Sequence, residues 1–282
     1  CWNLSSGEFV NLTSGLDVAF FDEEDDHPLG CFIPATSPRW VGEDEALLIA
    51  DRYDVWKFSP DGKKIENLTK GEGRRTGVQY RILDLGRRND PYLYQNIQSF
   101  PKKGKLYLTT FGEETSENGY AVANIAKPSV PQGFTDKWSF SSTVKAKDAG
   151  TIAYLKGNFR NPMNLHITRD EWKTAECLTD LNRQQDGYLW GDVQMVRWTS
   201  YDGTPLKGLL YTPENLDASR KYPMMIYFYE KNSETLYNYI QPAPSRSIIN
   251  IPFYVSRGYV VFVPDIVYKD CLLYTSPSPR DS

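Results

Sequence analysis

The chain has 282 residues, 40% of them hydrophobic and 14% aromatic, enough apolar material for one large core or two smaller ones. Its formal net charge of -4 comes from interspersed acidic and basic residues, which argues against a nucleic-acid-binding stripe. No run approaches the roughly 18 apolar residues of a membrane-spanning helix, and 4 Met against 19 Tyr, 7 Trp, 20 Gly and 18 Pro is the balance of a turn-rich β protein rather than a helical bundle.

The cysteines, Cys1, Cys31, Cys177 and Cys271, stand far apart without a C-x-x-C pair. That spacing supports neither a zinc site nor a disulfide framework, and each is expected to be a small buried hydrophobe. No metal is expected. No charged-then-apolar leader follows Cys1. An earlier amino-terminal portion is therefore expected, and the compartment stays open between periplasmic or secreted and cytoplasmic.

In chain order, Ala46-Leu47-Leu48-Ile49-Ala50 is a short apolar run suited to a buried strand, and Asp54 to Phe58 alternates as a half-buried strand does. Ser59-Pro60-Asp61-Gly62 supplies a hairpin turn, with Pro fixing φ and Gly tolerating positive φ; Lys63 to Thr69 returns as a strand. No segment before residue 190 reads as a long amphipathic helix.

This unit recurs. Trp2 to Gly7 leads to Asn11-Leu12-Thr13, Trp56 to Gly62 leads to Asn67-Leu68-Thr69, and Leu165 to Glu171 leads to Cys177-Leu178-Thr179. A degenerate copy is expected near Gly119-Tyr120-Ala121-Val122. A period of roughly 40–50 residues with about four strands is the mark of a β-propeller, whose blades bury their faces by stacking. Three or four blades do not close the larger rings, so the others are expected ahead of residue 1. Asn3, Asn11 and Asn67 each open a glycosylation sequon, but their place in the repeat favours a turn or strand role.

Near Asp192 the pattern changes. Val193 to Trp198 and Leu206 to Tyr211 read as a hairpin around Ser200-Tyr201-Asp202-Gly203-Thr204. Met224 to Tyr229 and Tyr259 to Val263 are unbroken apolar strands, as a sheet covered on both faces requires. Between them Ile248 to Ser256 is a helix candidate stopped by Gly258. A hairpin followed by strands and a helix is how an α/β-hydrolase sheet commonly begins.

Asp202-Gly203, Leu209-Leu210-Tyr211-Thr212-Pro213, Lys221-Tyr222-Pro223-Met224-Met225-Ile226 and Arg257 to Asp265 together resemble the propeller-to-hydrolase junction of prolyl oligopeptidase family serine peptidases. That family includes dipeptidyl-peptidase and acylaminoacyl-peptidase branches. Ser37-Pro38-Arg39-Trp40 and Asp51 to Trp56 fit the same picture. The resemblance implies a partial β-propeller over residues 1–190 and the start of an α/β-hydrolase domain over 191–270. It implies a parent that cleaves oligopeptides by Ser-His-Asp acyl transfer, with a peptide substrate and no cofactor. The alternatives are a non-catalytic propeller interaction module and an esterase or lipase. Substrate preference and oligomeric state are not written in these residues.

The family's nucleophile sits in a G-x-S-x-G elbow, and this sequence contains none. The chain is therefore expected to be inactive by itself, with none of the triad present. His166 lies on an expected propeller strand and His27 in an acidic turn, Asp25-Asp26-His27-Pro28, so neither reads as the triad base. Asp265 precedes the expected elbow and reads as a loop-fixing residue. The resemblance places Tyr229 where relatives carry a tyrosine hydroxyl that donates to the oxyanion; the competing reading is one more strand aromatic. Its neighbours Glu230-Lys231-Asn232 replace small residues of many relatives. Residues 271–282, Cys271 to Ser282, break both patterns and read as the translation of a sequencing adaptor, to be set aside from fold reasoning.

Overall fold

In three of the four sheets each strand pairs antiparallel with the one before it, so these sheets are meanders in chain order. The computed structural model describes residues 1–24, 35–85, 99–229, 231–244, 246 and 248–267. His27, Cys31, Glu230, Cys271 and the rest of the tail lie outside the described residues. The chain divides into two compact units, Cys1–Asp136 and Lys137–Ser282.

The first unit holds two meanders. One comprises β1 (Arg39–Val41), β2 (Ala46–Ala50), β3 (Val55–Phe58) and β4 (Ile65–Asn67). The single-turn helix α1 (Glu72–Thr76) leads into the other: β5 (Val78–Ile82), β6 (Lys105–Gly112), β7 (Asn118–Asn124) and β8 (Gln132–Asp136). The turn after β3 forms as the sequence requires, with Gly62 at φ 72° and its N–H donating to the Ser59 carbonyl at 2.9 Å.

Alternation along β2 and β3 feeds two separate cores. Ala46, Leu48, Ala50 and Val55 face a cluster with Tyr80, Leu106, Leu108 and Ala121 of the second sheet. Leu47 and Phe58 face another, with Leu12, Phe20 and Trp40. Each fully buried large side chain is worth roughly 1.5–3 kcal/mol over its exposed state. The expected half-buried character of Asp54 to Phe58 is thus corrected: Val55 and Phe58 are both fully buried, on opposite faces, because β3 is an inner strand packed on both sides.

The recurring unit is visible atom by atom. Val55 N–H donates to Thr69 Oγ1 at 3.1 Å, and Leu165 N–H donates to Thr179 Oγ1 at 2.9 Å, each across fourteen residues. The sequon asparagines form Asx turns: Asn3, Asn11 and Asn67 Oδ1 accept the N–H of Ser5, Thr13 and Thr69 at 3.0, 3.1 and 3.0 Å. The copy at Trp2 is reduced to a single bridge with Phe9, their rings stacked 5.3 Å apart.

The second unit opens with the third meander: β9 (Ser139–Lys145), β10 (Ile152–Gly157), β11 (Asn164–Thr168) and β12 (Glu176–Cys177). Cys177 and Cys1 are exposed, contrary to the buried placement expected of them. Cys177 ends a two-residue edge strand, where no core reaches it.

The fourth sheet is mixed. Its strands are β13 (Asp192–Thr199), β14 (Pro205–Thr212), β15 (Met224–Ile226) and β16 (Val260–Pro264), in the order β13-β14-β16-β15. β13 and β14 form the expected hairpin, and β15 runs parallel to β16. The crossover between them contains α2 (Ile251–Val255), capped by Asn250, whose Oδ1 accepts the Phe253 N–H at 3.2 Å. One face of this sheet packs Leu209, Tyr211, Val261 and Val263 against Ile251, Val255, Trp190 and Phe159. The other face of β15 is open: Met224 and Ile226 are 55% and 60% exposed, so the expectation of cover on both faces is not met there.

Candidate functional site

The apolar run Met224 to Tyr229 begins as a strand and then leaves the sheet. Met224, Met225 and Ile226 pair with Val260, Val261 and Phe262, and the Tyr227 N–H still donates to the Phe262 carbonyl at 2.9 Å. The next rung of a parallel ladder needs an N–H from residue 264, and Pro264 has none. The ladder therefore ends before Phe228, and the strand expected to run to Tyr229 is three residues long. Tyr229 lies beyond it with 69% of its surface exposed.

The turn that follows is held by Asp265, which is only 5% exposed. Its Oδ1 accepts the N–H groups of Asn232 and Ser233 at 2.7 and 2.9 Å, and its Oδ2 accepts the Ser233 hydroxyl at 2.5 Å. Asn232 Nδ2 donates in turn to the Tyr229 carbonyl at 2.8 Å. A buried carboxylate is costly unless its lone pairs are taken up, and three donors from one turn do so here. Asp265 thus fixes a loop, as its position after the strand led us to expect.

Farther along the same loop, Tyr239 stacks on Trp190 at 5.8 Å and donates its hydroxyl to Gln185 Oε1 at 3.0 Å. Gln185 Nε2 donates to the Arg160 carbonyl at 2.7 Å. The Arg160 guanidinium grips Asp192 and Glu214 at 2.7 and 2.6 Å. The Trp190 N–H and Arg160 together hold the Glu214 carboxyl below the usual carboxylate range. These contacts tie the β10–β11 turn to the hairpin β13–β14 and were not legible in the sequence.

A cavity of about 1210 Å³ opens between Trp190, Tyr239, Asn250, Phe253, Tyr254 and Arg257. Neither Tyr229 nor Asp265 lines it. His166 sits on β11, its ring stacked on Tyr154 at 5.7 Å and its Nδ1 3.1 Å from the Asn164 carbonyl oxygen. That is a packed strand residue. Among the described residues no group of three or more His, Cys, Asp or Glu side chains converges as a metal site would, and no helix is long and apolar enough to cross a membrane.

No protein-family model matches the chain. Solved structures do. A putative dipeptidyl aminopeptidase IV from Bacteroides ovatus aligns over 82% of this chain and 34% of its own, with a TM-score of 0.54 and 15% identity. Dipeptidyl peptidase 4 from Porphyromonas gingivalis aligns over 81% of this chain and 30% of its own, with a TM-score of 0.54 and 12% identity. The AtxE2 isopeptidase aligns over 86% and 35%, with a TM-score of 0.51 and 10% identity. The chain spans about a third of the length of the structures it matches. They include members of the peptidase group that the sequence resembles. The chain has the sheet-rich fold of a stretch of the dipeptidyl peptidase IV structures.

Proposed function

We propose that this chain is a segment of a prolyl oligopeptidase-type serine peptidase, a hydrolase that cleaves oligopeptides by acyl transfer from a serine. The observation that carries the reading is the fold match to two dipeptidyl peptidase IV structures over four-fifths of the chain. Three successive four-stranded meanders support residues 1–190 as propeller blades. A hairpin followed by a parallel pair with a helix in its crossover supports residues 191–270 as the beginning of an α/β-hydrolase sheet. On this reading the nucleophile, acid and base belong to parts of the parent outside this sequence, which has no G-x-S-x-G elbow.

Tyr229 is then the one residue here that reaches the chemistry. Standing free of the sheet, its hydroxyl would donate to the oxyanion, which is charged only in the tetrahedral intermediate and its flanking transition states. The reading is tested with a fluorophosphonate probe and a peptide substrate. The full-length parent should be labelled at a serine and should hydrolyse the peptide, while this chain alone should do neither. Stoichiometric labelling of this chain would overturn the assignment of the nucleophile elsewhere. A folded parent that takes no label would leave a non-catalytic propeller module.

A further inference from the structure

The geometry points to Asp265 as the positioning residue for Tyr229, an inference that rests on the oxyanion-donor reading of Tyr229. Tyr229 has lost the support of the sheet, because Pro264 supplies no further rung and the ring is mostly exposed. Its carbonyl is held by Asn232 at 2.8 Å, and the Asn232 N–H is held by the Asp265 carboxylate at 2.7 Å. Asp265 is itself anchored, its own N–H donating to the Lys207 carbonyl of β14 at 3.0 Å. A single buried side chain thereby joins the rigid centre of the sheet to the turn behind Tyr229.

The clasp suits a carboxylate. Two N–H groups donate to Oδ1 and the Ser233 hydroxyl donates to Oδ2, and charge strengthens all three bonds. An amide in the same place would keep its oxygen for the two N–H groups but lose the charge and make the Ser233 hydroxyl turn round to accept, so the clasp would hold more weakly. An oxyanion donor works only within about 2.7–3.1 Å of the developing charge, and a displacement of about 1 Å costs on the order of 10²-fold in rate. Asp265 touches no substrate on this account. It acts through Tyr229.

The test is a double-mutant cycle in the full-length parent, with kcat and KM measured separately. Asp265→Ala should lower kcat by roughly 10²-fold and leave KM within a few-fold, the split expected of a lost transition-state contact. In a Tyr229→Phe background the same change should alter kcat by less than about 3-fold, since no donor remains to be misplaced. If Asp265→Ala does not fold, Asp265→Asn and Ser233→Ala loosen the clasp more gently, and their losses should vanish in the same background. Losses that simply multiply would overturn the inference and make Asp265 structural only. Full activity of Asp265→Asn and Ser233→Ala beside an impaired Tyr229→Phe would also overturn it, while sparing the role of Tyr229. An unimpaired Tyr229→Phe would remove the reading on which both stand.

Discussion

Thr69 donates its hydroxyl to Asp54 at 2.5 Å in a site where both side chains are buried. The same carboxylate accepts the N–H groups of Gly73 and Arg74, each at 3.1 Å, so it ends β4 and starts α1 at once. Asp54→Ala would take this acceptor from the Gly73 and Arg74 N–H groups and leave the Thr69 hydroxyl only Asn67 Oδ1, at 3.0 Å. We expect a loss of about 2–4 kcal/mol, read as a lower urea midpoint with an unchanged slope. An unchanged midpoint would mean that water replaces the carboxylate at no cost.

Thr179 and Asn164 repeat this relationship in the third meander, with Asn164 Oδ1 accepting the Thr179 hydroxyl at 2.9 Å and the Leu181 N–H at 2.8 Å. The repeat was legible because its turn residues, Asn67-Leu68-Thr69 and Cys177-Leu178-Thr179, keep their spacing from the strand before them. Strands β2, β13, β14 and β16 were legible as apolar runs between turns. What was not legible depends on partners distant in sequence. The full burial of Phe58 needs Leu12, the early end of β15 needs Pro264, and the grip on Tyr229 needs Asp265 to meet Asn232. Periodicity reports which face of a strand is apolar, but not what the other strands of the sheet place opposite it.

Gly119 tests the packing of the second meander. A Cβ there would lie 2.1 Å from the Phe134 carbonyl oxygen and 2.9 Å from Thr110 Oγ1, within backbone that cannot move without opening β7 from β8. Gly119→Ala should cost at least about 2 kcal/mol, beyond the usual range for a surface change. A thermal melt within about 1 °C of the parent sequence would show that the strands separate easily.

Glu113 gives the first unit an acid-sensitive node. Burial pushes its carboxyl up, but hydrogen bonds from Tyr53, Arg52 and Gln79 outweigh that and leave it below its ordinary value of 4.5. A depressed folded pKa gives stability that is present above the unfolded value and lost as pH falls through the folded one. The advantage of the native chain over Glu113→Gln should therefore hold near neutrality and shrink as the pH is lowered from about 5 to about 3. Urea midpoints for the two chains across that interval check it. A gap independent of pH would assign the effect to shape rather than charge.

The open face of β15 should be detectable directly. Met224, Ile226 and Phe228 follow one another at strand spacing and are 55%, 60% and 58% exposed. This chain should bind a hydrophobic fluorescent dye and associate as its concentration rises. Replacing Ile226 and Phe228 with threonine should reduce both signals. Dye binding unaltered by the double substitution would locate the sticky surface elsewhere.

The central place of β16 sets the order of events during synthesis. The meanders can close as they leave the ribosome, because each strand finds its partner in the strand just made. The last sheet cannot. β15 emerges with no neighbour, and both β14 and β15 wait for Val260 to Pro264 to slide between them. Until then the nascent chain carries two unpaired strand edges and the apolar residues of β15, the state in which chaperones are most needed. Translation speed between Ile226 and Val260 should consequently govern the yield of folded protein more than speed anywhere in the meanders.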